Sequence, residues 1–248
     1  EAALRTLAAC EKQGAWSDGY LKRILRESGL DSRDAALATR LCFGVLQNRL
    51  LLDWHLAHFC TTKLEKLDLN VLCILRTAAY QLLFLDKIPP SAAVNEAVSL
   101  TKKYCRNPRA AGMVNAVLRA MLRSGQLPEP TGSDELERLS IQYSHPRWLV
   151  ETFADRLGLA ETEALLAADN AQPPTTAQVN TFRASAEEVA SLLKTEGVEV
   201  KPHPWLKDCL ELSGTGDLER LRTYQDGLFY VQDAAARLAV TGLELSPD

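Results

Sequence analysis

Apolar residues recur every three or four positions through the first half of the chain, and strict alternation is absent there. Ala2 to Gln13 carries Leu4, Leu7 and Ala8 on one face. Ser17 to Glu27 carries Tyr20, Leu21, Ile24 and Leu25, and Gly29 stops it. Asp31 or Ser32 caps a long segment that runs through Leu41 and Val45 to Phe59. Asp68 precedes Leu69 to Leu85, where Leu72, Leu75, Ala79, Leu82 and Leu83 share a face. Pro89-Pro90-Ser91 starts Ala92 to Tyr104, and Asn107-Pro108 starts a helix to Arg123. Residues 1–124 are therefore expected to form an all-α domain.

The pattern then changes. Residues 124–133 (SGQLPEPTGS) hold two glycines and two prolines, the composition of a linker. Three short helices follow: Asp134 to Tyr143, Pro146 to Leu157 and Ala160 to Asp169. Thr175 to Phe182 reads as extended, and Ser185 with Glu188 forms a capping box that opens a helix. Val198 to Val200 and Cys209 to Leu212 read as strands, Leu218 to Tyr224 as a short helix, and Leu228 to Val231 as a last strand. That order predicts a small α+β unit of split β-α-β type, closed by a helix that Asp233 caps, Ala234 to Val240. The expected class is mainly α: a helical bundle, then a smaller helical and α+β domain.

Charge sharpens this division. The chain of 248 residues has a formal net charge of -4, but residues 1–130 carry 18 basic and 12 acidic side chains, and residues 131–248 carry 10 and 20. The basic excess is concentrated. Between Glu96 and Glu129 no carboxylate occurs, and Lys102, Lys103, Arg106, Arg109, Arg119 and Arg123 all fall in that interval. Tyr104 lies within the cluster and adds a stacking surface. At about 100° per residue, Arg109, Arg119 and Arg123 lie within about 80° of one another, opposite Met113, Val114, Val117, Leu118, Met121 and Leu122. Gly112 and Ala116 on the same side leave the backbone open to a phosphate strand. A solvated face is the competing reading for each arginine alone. The whole cluster reads as an RNA-binding surface, because no acid neutralises it.

Other candidate chemistry is sparse. The six cysteines (Cys10, Cys42, Cys60, Cys73, Cys105 and Cys209) form no Cys-x-x-Cys pair and read as reduced thiols of a cytoplasmic protein. His55 and His58 have no further clustered ligands, so no metal site is expected. Asn95, Glu96 and Asn115 sit in apolar helical text and are expected to form a buried hydrogen-bonded pair between helices, with catalysis by Glu96 the less favoured reading. Tyr143-Ser144-His145-Pro146 reads as a helix N-cap, with no partner visible for His145 as a general base. No glycine-rich loop follows a strand, and Gly214-Thr215-Gly216 is too short to cradle a nucleotide or S-adenosylmethionine. The apolar segment from Leu67 to Leu85 is interrupted by Asp68, Asn70, Arg76 and Gln81, so no membrane span is expected. No signal peptide is recognisable, and a start at Glu1 fits a piece of a longer chain.

Several of these segments, taken in order, carry a resemblance. Residues 1–124, with Pro89-Pro90, Val94-Asn95-Glu96-Ala97-Val98 and Gly112-Met113-Val114-Asn115-Ala116-Val117-Leu118-Arg119, resemble a NusB-like RNA-binding domain. Tyr143-Ser144-His145-Pro146-Arg147-Trp148, Asn170-Ala171-Gln172-Pro173-Pro174, Val179-Asn180 and Gly227 to Asp233 follow. Together they resemble the N-terminal half of the bacterial 16S rRNA cytosine-5 methyltransferases of the Sun/Fmu family. The resemblance implies a NusB-like bundle over 1–124, a linker over 125–133, a helical and RRM- or ferredoxin-like α+β domain over 134–233, and the start of a truncated methyltransferase domain over 234–248. It also implies 16S rRNA as partner and S-adenosylmethionine as cofactor of the parent enzyme. That cofactor's site would lie outside this chain, and with it every catalytic residue. The chain alone is expected to be an inactive, cytoplasmic monomer. A stand-alone NusB-like antitermination factor with a C-terminal extension is the alternative reading.

Overall fold

The computed structural model describes residues 1–243. They form two compact units, one of residues 1–170 and one from Ala171 onward.

The first unit is built around a helix that is buried nearly all round. Helices α1 (Ala2–Gln13), α2 (Ser17–Ser28), α3 (Ser32–Gln47) and α4 (Arg49–Phe59) precede α5 (Leu69–Phe84), and α6 (Pro90–Tyr104) and α7 (Ala110–Arg123) follow it. In α5, Val71, Cys73, Ile74, Leu75, Ala78, Ala79 and Tyr80 are all buried, as expected for a central helix that lacks a polar face. Its start is fixed as the sequence predicts, with Asp68 Oδ1 accepting from the Asn70 and Val71 N–H groups. One core of Leu4, Leu7, Val45, Leu52, Leu56, Leu75, Val114 and Leu118, among others, joins α1 and α3 to α7.

Arg76 is the exception inside α5. It is 8% exposed and donates Nε and Nη2 to the two oxygens of Asp53, each at 2.7 Å, and Nη1 to Glu11 at 2.9 Å. A guanidinium in this position needs such a paired fork, since an unpaired buried charge would be strongly destabilising.

Periodicity predicts one continuous segment from Ser32 to Phe59, but the structure divides it at Asn48. That residue leaves helical geometry (φ -107°, ψ 22°), and its side chain donates back to the Gly44 carbonyl at 2.9 Å. The first turn of α4 is satisfied from elsewhere: the Leu51 N–H donates to Ser144 Oγ at 3.0 Å. Gly44 itself is required, because a Cβ there would run into the Tyr80 ring.

Helices α8 (Glu135–Tyr143), α9 (Arg147–Leu157) and α10 (Leu159–Asn170) share a small core of Leu139, Val150 and Leu166. They belong to the first compact unit, whereas the sequence pattern groups them with the strands that follow. Bonds over long sequence separation account for this. Gln47 Nε2 donates to the Asn170 carbonyl at 3.2 Å, and the bond from the Leu51 N–H to Ser144 Oγ ties α4 to the end of α8.

The second unit is a four-stranded antiparallel sheet of order β2-β3-β1-β4, with β1 Thr175–Val179, β2 Glu199–Pro202, β3 Cys209–Ser213 and β4 Phe229–Val231. Strand β3 lies between β1 and β2, which gives the split β-α-β arrangement expected from the sequence. Helix α11 (Ala186–Thr195) makes the crossover and opens with the predicted Ser185–Glu188 capping box. Its Val189 and Leu193 pack with Ala177, Val179, Leu210, Leu212 and Phe229 of the sheet. The second connection is short, a 3-10 turn Leu218–Arg220 and α12 (Arg222–Gln225). Asp233 caps α13 (Ala234–Thr241), and the last part of the segment 234–248 lies outside the described residues. The protein is thus mainly helical, a helical bundle followed by a ferredoxin-like sheet.

Candidate nucleic-acid interface

Helices α6 and α7 form an antiparallel hairpin whose connection, 105–109, lies within the basic run. The α7 faces divide as the wheel predicts except at Leu122, which is expected on the core side and is 40% exposed. Ala111, Val114, Val117, Leu118 and Met121 are buried, whereas Gly112, Ala116, Arg119 and Arg123 are exposed. Nothing stands within 4 Å of the Gly112 Cβ position, so the backbone there is open. Arg109 is the residue before α7 and not a member of it, and Asn107 Oδ1 accepts its N–H at 3.0 Å.

The hairpin splits the cations into two groups. Lys102, Lys103, Arg106 and Arg109 gather at the α6–α7 connection. Arg119 and Arg123 lie at the opposite end, with Arg123 about 21 Å from Arg109 along the helix axis. Among the described residues, Lys102, Arg106, Arg109, Arg119 and Arg123 make no ion pair. Arg119 is steadied only by a 2.9 Å bond to Asn115 Oδ1. Lys103 differs, pairing with Glu1 at 3.3 Å while its Nζ sits 4.9 Å from the centre of the Tyr104 ring. Tyr104 and Lys103 together hold the Glu1 carboxyl below the usual carboxylate range. One face of the half-buried Tyr104 ring is therefore already occupied by a cation.

Asn95 and Glu96 are exposed, and neither bonds to Asn115, whose side chain serves Arg119. The expected buried pair between helices is absent, because these positions fall on the outer face of α6, where Ala93, Val94 and Ala97 take the core. Ser144 and His145 also depart from expectation. Ser144 ends α8 in the left-handed region (φ 55°), and Pro146, which has no side-chain cap to offer, immediately precedes α9. His145 does have partners: its Nδ1 lies 2.7 Å from the Tyr143 carbonyl and its Nε2 lies 3.6 Å from Asp169 Oδ2. These contacts hold the α8–α9 corner. Asn180 does similar work in the sheet, donating Nδ2 to the Gly227 carbonyl at 3.0 Å.

All six cysteines are free thiols. Burial pushes Cys42 and Cys73 up to about 12 and Cys105 up to about 11, far from the reactive range. His55 is buried on α4 against Trp54. Among the described residues, no group of three or more His, Cys, Asp or Glu side chains could hold a metal, and no helix is long and apolar enough to cross a membrane.

S-adenosylmethionine does not fit the described residues. Gly214 and Gly216 sit in a loop between β3 and a 3-10 turn, in an antiparallel sheet, with open space around both. A dinucleotide-type cradle needs a strand, a glycine loop and a helix N-terminus in sequence.

One feature of the hairpin is invisible to sequence spacing. A cavity of about 190 Å³ at its connection is lined by Arg106, Asn107, Ala110 and Met113 from the hairpin and by Lys66, Leu67 and Asp68 from the approach to α5. Asn70 Nδ2 donates to the Tyr104 carbonyl at 2.9 Å and ties the two segments together.

Comparison with known proteins agrees with this architecture. Residues 1–123 match the NusB family, and residues 145–219 match the Methyltr_RsmF/B-like, ferredoxin-like domain. The chain is 32% identical over 246 residues to the probable ribosomal RNA small subunit methyltransferase B of Bacillus subtilis, covering 99% of this chain and 54% of that protein. It is 32% identical over 246 residues to ribosomal RNA small subunit methyltransferase B of Pseudomonas putida, covering 99% and 55%. In fold it superposes on the crystal structure of PH0851 with a TM-score of 0.67 at 22% identity, over 99% of this chain and 56% of that one. The chain spans about half the length of the curated relatives it matches. With a NusB domain followed by this ferredoxin-like domain, it belongs to the family of the ribosomal RNA small subunit methyltransferase B proteins.

Proposed function

We propose that this chain is the RNA-recognition portion of an S-adenosylmethionine-dependent 16S rRNA cytosine-5 methyltransferase. The observation that carries the reading is the basic face of the α6–α7 hairpin, where five of the six cations make no ion pair among the described residues, in a chain that is acidic overall. Lys102, Lys103, Tyr104, Arg106, Arg109, Arg119 and Arg123 supply the contact surface. Their role is to hold phosphates and fix orientation, as contacts to phosphate and sugar do in nucleic-acid recognition.

The residues present bind and orient RNA. Cofactor binding and methyl transfer fall to a part of the longer protein outside these residues, and this chain alone is inactive. The alternative, a free-standing NusB-like antitermination factor, leaves the ferredoxin-like domain at 145–219 without a role.

Two measurements test the reading. Salt-dependent binding of the chain to a 16S rRNA transcript should give a steep negative slope, and affinity for 16S rRNA should exceed that for an unrelated transcript of equal length. Equal affinity for both would remove 16S rRNA as the specific partner. Bisulfite sequencing of 16S rRNA from cells with and without the intact gene should show one 5-methylcytosine lost. An unchanged methylation pattern would remove the methyltransferase assignment.

A further inference from the structure

We infer that the cavity at the α6–α7 connection is a pocket for a single unpaired RNA nucleotide. The inference rests on the RNA-binding reading above and adds what that reading lacks, a place where a base is taken out of the helix and held.

The walls suit the two halves of a nucleotide. Lys66 and Arg106 are both exposed, line the cavity from opposite segments, and make no ion pair among the described residues. They can take the phosphate. Leu67, Val71, Ala110 and Met113 supply apolar surface for a base, and Met113 brings a polarizable thioether to it. Asn107 provides the polar mark. Its Oδ1 is occupied by the Arg109 N–H, which leaves Nδ2 as a donor with no partner among the described residues. The one carboxylate in the wall, Asp68, has an oxygen engaged by the first turn of α5.

Size and chemistry together select the ligand class. A cavity of about 190 Å³ is too small for a folded RNA element to enter, and its apolar lining is wasted on a phosphate alone. Proteins recognise RNA bases mainly where the strand is unpaired, by stacking or burying the base and hydrogen-bonding its edge. Arg106 belongs both to the cavity wall and to the Lys102–Arg109 cluster, so a backbone held on those cations brings a loop nucleotide to the pocket.

The test compares two RNAs of equal phosphate count, a stem with an unpaired loop and a fully paired duplex, binding to the whole chain. The looped RNA should bind about tenfold more tightly, the effect of burying one base. Asn107→Asp keeps the oxygen that accepts from Arg109 but removes the free donor, and Ala110→Leu fills the apolar wall. Each should bring the ratio of the two affinities toward one; Ala110→Leu should leave the salt slope on the duplex unchanged, whereas the carboxylate that Asn107→Asp adds beside Arg106 and Arg109 should weaken both RNAs as well. Circular dichroism melting identifies whichever variant stays folded, and Asn107→Asp retains the native turn. The Arg119→Ala/Arg123→Ala double variant should weaken both RNAs alike and preserve the ratio. A ratio of one in the parent chain, or a ratio that survives the pocket variants, overturns the pocket and leaves the phosphate-binding surface standing. Failure to bind either RNA overturns both.

Discussion

Two neighbouring parts of the helical unit use arginine in opposite ways. In α8–α10, Arg138 pairs with Glu135 at 2.6 Å and Glu163 at 3.3 Å, and Arg147 pairs with Asp134 at 2.6 Å and Glu151 at 2.8 Å. In the α6–α7 hairpin, Arg106, Arg109, Arg119 and Arg123 have no carboxylate partner among the described residues. The first set is spent on holding helices together, and the second remains available to an external anion. The difference lies in where the acids are. They are interspersed with bases from Asp134 to Glu163 and are missing from 97–128. Arg76 marks the extreme of the first use, buried in a fork with Asp53 and Glu11.

The comparison can be broken most forcefully at Arg76. Arg76→Ala should lower unfolding stability in urea by about 3–5 kcal/mol, because it strands Asp53 beside the core and leaves Glu11 with Arg49 alone, at 3.2 Å. A loss within the range of a surface substitution would mean the fork is not structural. Next in size is RNA binding by the Arg119→Ala/Arg123→Ala variant. Affinity should fall and the salt slope should flatten by about one unit per lost phosphate contact, with stability changed by no more than about 0.5 kcal/mol. An unchanged slope would make this face an ordinary solvated one.

Arg147→Ala should do the reverse, lowering stability only slightly and leaving the salt slope of RNA binding intact. If it flattens the slope as strongly as the hairpin variant does, the division between paired and unpaired arginines fails. The smallest effect is on pH dependence. Arg147, Glu137's N–H and other nearby donors hold Asp134 below its ordinary pKa, and Arg138 does the same for Glu135. A depressed folded-state pKa contributes stability that is present above the unfolded value and lost as pH falls through the folded one. The Arg147→Ala variant should therefore lose part of the parent's acid sensitivity below about pH 4, the range where free carboxylates protonate. Identical acid profiles would show that these exposed pairs contribute nothing measurable.

Much of this was legible along the chain because the relevant signals are local. Asp68, Ser185 and Asp233 sit beside the N–H groups they cap, so each helix start could be read from neighbouring residues. The α7 faces follow from 3.6-residue periodicity except at Leu122, which the packing leaves exposed. The site was less legible. The wheel places Arg109, Arg119 and Arg123 on one side but does not register that Arg109 and Arg123 stand about 21 Å apart. Lys103 looked as free as its neighbours, yet Glu1, distant in sequence, neutralises it. Asn95 and Glu96 looked buried because apolar residues flank them, and only the packing of α6 shows that their face is outside.

The sequence by itself determined the class of the two units, the helix starts, the split β-α-β order and the acid-free basic run, since each depends on residues within a few positions of one another. Tertiary structure decided the rest. It broke the segment from Ser32 to Phe59 at Asn48, where Ser144, 93 residues beyond Leu51, satisfies the first turn of α4. It attached α8–α10 to the helical unit through Gln47 and Asn170. It also brought Lys66 and Leu67 against Arg106 and Asn107 to make a cavity. Contacts of this kind join residues whose separation along the chain carries no periodic signal, so only the packing of buried helices sets which of them meet.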